Sequence, residues 1–91
     1  MRYVKKRIPV EAIQTPTHLP TTREYMEWFK AAPKWFHNRN IWMTEEGLVL
    51  QTLEGDMLCA WGNWIIHGPH DEIYPIHNDV FLDTYEPWEE E

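Results

Sequence analysis

The spacing of apolar and polar positions changes period along this chain. From Ile8 to Thr15 the two kinds of residue alternate around Val10 and Ala12, with β-branched residues at both ends, which predicts a strand. Pro9 donates no backbone N–H, so it limits that strand to a sheet edge or stands as its first residue. Pro16 and Pro20 bracket a loop. The period then becomes helical. Tyr25, Trp28, Phe29 and Ala32 fall on one face with Met26 beside them, while Glu24, Glu27 and Lys30 face water. Thr21 and Glu24 have the spacing of a capping box, in which each side chain satisfies a free backbone N–H of the first turn. Pro33 stops the helix, because the residue before a proline avoids the α region. The spacing thus predicts a helix over about 22–31. Pro33 to Asn40 is a loop or a short helical turn that holds Trp35, Phe36, His37 and Arg39.

From Ile41 onward the period is that of strands. Short β-rich runs (IWMT, LVLQTL, DMLCA, NWIIHG, EIYPI) are separated by Glu46-Gly47, Glu54-Gly55-Asp56, Gly62-Asn63 and Gly68-Pro69-His70-Asp71. Gly and Asn at such points supply the positive φ of tight turns. The regular spacing predicts an antiparallel meander. A short helix follows, capped near His77–Asp79, stopped by Pro87, and docked through Val80, Phe81 and Tyr85. The expected fold class is α+β, a single domain over 1–91. It has one curled antiparallel sheet of four to five short strands, one amphipathic N-terminal helix and a short C-terminal helix. A sheet this small and twisted can roll into a partial barrel. An acidic tail, about 87–91, is expected to be mobile.

Composition adds to this picture. With 43% hydrophobic residues, 14% aromatic residues and six tryptophans in 91 positions, the chain is a folding one with more large rings than a small core hides. The formal net charge of −7 argues against a duplex-DNA binder, which needs a basic face. Arg2, Lys5, Lys6 and Arg7 gather at one end, and Asp79, Asp83, Glu86, Glu89, Glu90 and Glu91 at the other. These are solvated ends, or else a basic grip for phosphate and an acidic face for a basic partner. One cysteine, Cys59, allows no internal disulfide. Neither a signal-peptide core nor an apolar run long enough to cross a membrane is apparent, so a cytoplasmic protein is expected.

The chemistry-bearing residues are few. His67, His70 and His77, with Asp71 and Asp79, could supply ligands to zinc if they converge, but their spacing matches no strong zinc signature, and neither a metal nor a cofactor is expected. Cys59 lies in an apolar strand, where a thiol behaves as a small hydrophobe. The chain has no serine, and its four glycines are spread over separate turns, so serine-hydrolase and Walker-type chemistry are excluded. Adjacent carboxylates such as Glu45/Glu46 and Asp71/Glu72 read as solvated turns. An enzyme is not expected, with a small nucleotide hydrolase left open. Binding fits better. Trp35, Trp42, Trp61, Trp64 and Tyr74 are candidates to stack a planar ligand, with Arg39 or the basic N-terminus to meet a phosphate. The competing reading is that these rings thicken a small core or a homodimer interface.

Both ends resemble a known group. Arg2–Gln14 (RYVKKRIPVEAIQ) and Leu50–Trp88, with its LQTLEGDM and WIIHGPHDEIYPIHNDVFLDTYEPW, resemble a family of small proteins common in tailed-phage genomes and prophages. Where that family has Pro-Gly-Asp-Tyr, this chain has Trp61-Gly62-Asn63-Trp64, and Asn can serve the turn as Asp does. The family's Trp after Gln is Thr15 here. Its cysteine after Tyr-Pro is Ile76, so a thiol role at that position is excluded. The resemblance implies a phage setting, in the host cytoplasm, and names no reaction.

The expected function is therefore a non-catalytic, phage-encoded accessory binding protein that acts on the host, as a counter-defence factor sequestering a small nucleotide signal. Two other readings stand beside it. One is an acidic protein-binding inhibitor of a host nucleic-acid-binding defence factor, of the anti-CRISPR or anti-restriction type. The other is a structural or assembly protein of the phage. A homo-oligomer is expected.

Overall fold

A computed structural model describes residues 1–4 and 7–88; Lys5, Lys6 and the tail acids Glu89, Glu90 and Glu91 lie outside the described residues. The elements run β1 (Glu11–Gln14), α1 (Thr22–Ala31), α2 (Lys34–His37), β2 (Ile41–Met43), β3 (Gly47–Thr52), β4 (Gly55–Ala60), β5 (Trp64–His67), β6 (Ile73–Ile76) and α3 (Asn78–Thr84). The α+β class is as expected. The single curled sheet is corrected: the strands form two three-stranded antiparallel sheets, ordered β1-β5-β6 and β2-β3-β4, and no closed barrel forms.

The division falls at the turn between β4 and β5. Asn63 donates to the Ala60 carbonyl at 3.0 Å, as in a tight hairpin. Here, however, the turn's other groups are taken by the chain leaving β1. Gly62 donates to the Pro16 carbonyl at 2.7 Å, and the Asn63 carbonyl accepts from Thr15 N–H at 2.9 Å. Thr15 is buried, and its hydroxyl donates to the Asn63 carbonyl at 2.9 Å and accepts from Gly62 N–H at 2.9 Å. β5 is thereby drawn onto β1, with Ala12 opposite Ile66 and Ile13 opposite Ile65. Both strands that carry a flanking or internal proline, β1 after Pro9 and β6 with Pro75, are sheet edges.

The inner faces of the two sheets meet. Leu48, Leu50 and Cys59 from one and Ile65 and Ile73 from the other form the core with Phe36 of α2. Fully burying each large apolar side chain contributes about 1.5–3 kcal/mol. α1 is capped by Thr21 and Glu24 as expected, and both bonds of the capping box are made. Tyr25, Trp28 and Phe29 pack on the core, with Trp28 edge-on to Phe36 at 5.3 Å. Met26, expected beside that face, is exposed. Gly47 has a packing reason: a Cβ there would sit 2.1 Å from the Cys59 carbonyl oxygen of the neighbouring strand. In the Gly68–Asp71 turn the left-handed residue is Asp71, at φ 64°, rather than the glycine.

The other face of β1-β5-β6 carries Trp64, Ile66 and Tyr74, and α3 lies over it. Phe81 stacks on Trp64 with centroids 3.9 Å apart and planes 14° from parallel. Ile66 is fully buried there. Phe81 and Tyr85 dock as expected, whereas Val80 is exposed.

Candidate functional site

The six candidate residues do not share a pocket. Trp35 stacks on His67 at 4.7 Å and 8°, and its indole N–H is buried without a partner. Trp61 packs against the core and donates to the Glu45 carbonyl at 2.9 Å. Trp42 stands on the outward face of β2, 46% exposed. Tyr74 is half-buried on β6; burial, with the Tyr85 side chain beside it, pushes its phenol up to about 12. Arg39 donates to the Trp35 carbonyl at 2.8 Å and to the Asp71 carboxylate at 2.5 Å.

Arg39 belongs to an open line of charge that runs through Asp71 and His67 to Glu11. Asp71 also meets His67 Nε2 at 2.7 Å, and His67 Nδ1 lies 3.6 Å from Glu11. The hydrogen bond from His67, with Arg39 adding to it, holds the Asp71 carboxyl below the usual carboxylate range. Both nitrogens of His67 thus face carboxylates and its ring is covered on one side by Trp35. The cluster ties the 68–72 loop to β5 and to the end of α2. The other histidines serve elsewhere: His77 caps α3 by accepting from Asp79 N–H at 3.2 Å, and His70 is exposed. Among the described residues no group of three or more histidine, cysteine or acidic side chains is placed to hold a metal ion. Cys59 is buried and its thiol is pushed up to about 12 by burial.

Arg39 and Tyr74 line separate cavities of about 340 and 370 Å³, and Trp64 lines another. A groove of about 560 Å³ runs between residues 7–12 and the end of α3 with the segment after it. Pockets of about 300–1,000 Å³ suit small molecules. Local sequence explains both walls. Pro9 has no N–H, and the sheet pairing of the chain begins at Glu11. α3 ends at Thr84, and Tyr85 to Trp88 continues without helix before and after Pro87. Trp64, Phe81 and Tyr85 line the interior as a run of stacked rings, Phe81 to Tyr85 at 5.2 Å. Behind Trp64, its indole N–H donates to Asn78 Oδ1 at 2.9 Å, and Asn78 N–H donates to Asn63 Oδ1 at 3.1 Å. The ring is therefore fixed from both α3 and the β4–β5 turn.

At the rim the Arg7 guanidinium lies 5.0 Å from the Trp88 ring centroid and 3.7 Å from Glu86. Glu86 thus stands beside Arg7 with its side chain mostly exposed. In the sequence Phe81 reads as a docking residue of the last helix and Arg7 as part of a basic end suited to phosphate, while Trp88, outside any periodic element, carries no such signal. No helix of the described residues is long and apolar enough to cross a membrane. No family model, curated protein or solved structure matches the chain.

Proposed function

We propose that this chain is a non-catalytic binding protein, encoded by a phage and acting in the host cytoplasm, that sequesters a small nucleotide in the groove between residues 7–12 and 81–88. The observation that carries this reading is a ligand-sized groove with an aromatic interior and an arginine at its rim. A base stacked on an aromatic side chain contributes roughly 1–3 kcal/mol per base, and stacking tolerates any base. Neither Cys59 nor His67 lines the groove, and the hydroxyl and carboxylate groups that do are those of Thr84, Tyr85 and Glu86. The test is calorimetry and thermal shift with cyclic di- and trinucleotides and ADP-ribose derivatives. Binding by the wild type, lost in Trp64→Ala, is the expected result. No heat, no stabilisation and no change in tryptophan fluorescence across the panel would remove the reading; release of a hydrolysed product would make the protein an enzyme.

One observation favours a second reading, a homo-oligomer with a structural or assembly role. Trp42, Val49 and Leu58 are cross-strand partners and form an apolar row over the outward face of β2-β3-β4. Trp42 and Leu58 are 46% and 45% exposed. Sedimentation of the wild type and of Leu58→Glu tests it. An oligomer that the substitution dissociates supports the row as the contact, and a wild-type monomer at tens of micromolar dismisses it.

A further inference from the structure

The rim of the groove carries more information than its aromatic floor, and the following rests on the groove being a nucleotide site. Arg7 and Glu86 are the charged side chains that line it among the described residues. Their closest approach is 3.7 Å, beyond hydrogen-bond reach, and both side chains are mostly exposed, at 74% and 82%. A pair this open to water is held weakly. Arg7 donates no hydrogen bond to any described residue, yet its guanidinium is held over the Trp88 ring. The groove thus presents a planar fork of donors, oriented by an aromatic face and balanced only loosely by a carboxylate.

We infer that Glu86 is a built-in competitor for the anion of the ligand, and that the recognised unit is one flat ring carrying one phosphate. A phosphate that enters takes two parallel N–H···O bonds from Arg7, at about 2.7–2.9 Å. It displaces Glu86, whose contact is longer and less directional. The ring slides against the aromatic interior. One arginine matches one anionic group, and among the described residues a second phosphate within the groove meets no further cation. Larger nucleotides therefore bind through a single base–phosphate unit, with the remainder outside. A nucleoside lacks the group that engages Arg7 and binds less tightly.

The experiment is calorimetric titration, at low and high salt, of the four nucleoside 5′-monophosphates and their parent nucleosides. The proteins are wild type, Glu86→Gln, Arg7→Gln and Arg7→Lys, each first shown to melt as a folded protein. At least one monophosphate is expected to bind several-fold tighter than its nucleoside, with the difference shrinking at high salt. Glu86→Gln should tighten the monophosphate several-fold and leave the nucleoside unchanged. Arg7→Gln should erase the difference, and Arg7→Lys, which keeps the charge but not the fork, should restore part of it. Equal binding of monophosphate and nucleoside, or indifference to Glu86→Gln, overturns the inference. So does binding of the larger nucleotides without any monophosphate, which leaves the nucleotide site standing. Failure of every nucleotide to bind removes the site itself and the inference with it.

Discussion

Thr15 and Cys59 show how a single side chain can be committed to architecture. The Thr15 hydroxyl is buried and spans the Asn63 carbonyl and the Gly62 N–H, so it holds two chain segments together at once. Thr15→Val keeps the shape and deletes both bonds. It is expected to cost about 1–3 kcal/mol, read as a lower urea midpoint at unchanged slope. Cys59 has no such partners beyond a weak contact to the Trp64 carbonyl at 3.5 Å. Its thiol, pushed up to about 12, is neither exposed nor ionised at neutral pH. An aromatic disulfide reagent at pH 8 should therefore find no thiol in the native protein and one in guanidinium. Rapid native labelling would mean that β4 does not lie where it is described. The sequence alone suggests the inert thiol, since an apolar strand surrounds it. It gives no hint of the role of Thr15, because a threonine before a proline reads as the ordinary last residue of a strand.

Among the elements, α1 is the one whose limits can be read most directly. Thr21, Glu24 and Pro33 are local signals, and no distant residue competes with them. Its cap also makes a prediction about pH. The backbone N–H of Thr21, with the Thr21 side chain adding to it, holds the Glu24 carboxyl below its ordinary value. A carboxyl lowered in the folded state contributes stability above its unfolded pKa and loses it as pH falls through the folded one. The melting temperature of the wild type should exceed that of Glu24→Ala at pH 7, and the gap should narrow below about pH 4. Thr21→Ala should cost about 0.5–2 kcal/mol as the cap is lost. The strands are legible as strands, but their partners are not. Gly62-Asn63 has the local chemistry of a hairpin turn, so one continuous meander is the natural expectation. What separates the sheets is the capture of that turn by Thr15, 47 residues upstream of Gly62, and no pattern local to the turn encodes it.

At the scale of the molecule, the core forms one compartment and the groove another, on opposite faces of β1-β5-β6. The candidate rings chosen for their place in loops are mostly spent on packing. The groove instead draws Arg7 and Trp88 from segments that read as a strand's approach and a tail, which is why composition and periodicity leave it out. Its walls are also nearly as far apart along the chain as any two described segments can be. Joining them closes a loop around almost the whole fold, and the entropy of such a closure is lost late, after the sheets between them have formed. The clasp of Arg7 on Trp88 then belongs to the folded state and not to the folding transition state. Arg7→Gln should speed unfolding by about two- to fivefold, the equivalent of one exposed cation–π contact, and leave the refolding rate unchanged in stopped-flow chevrons. On the proposed function, a nucleotide lodged between the two walls would act on the same barrier in the opposite sense. It would tie the ends together, so its presence would be recorded as a longer lifetime of the folded chain, with no gain in the speed of folding.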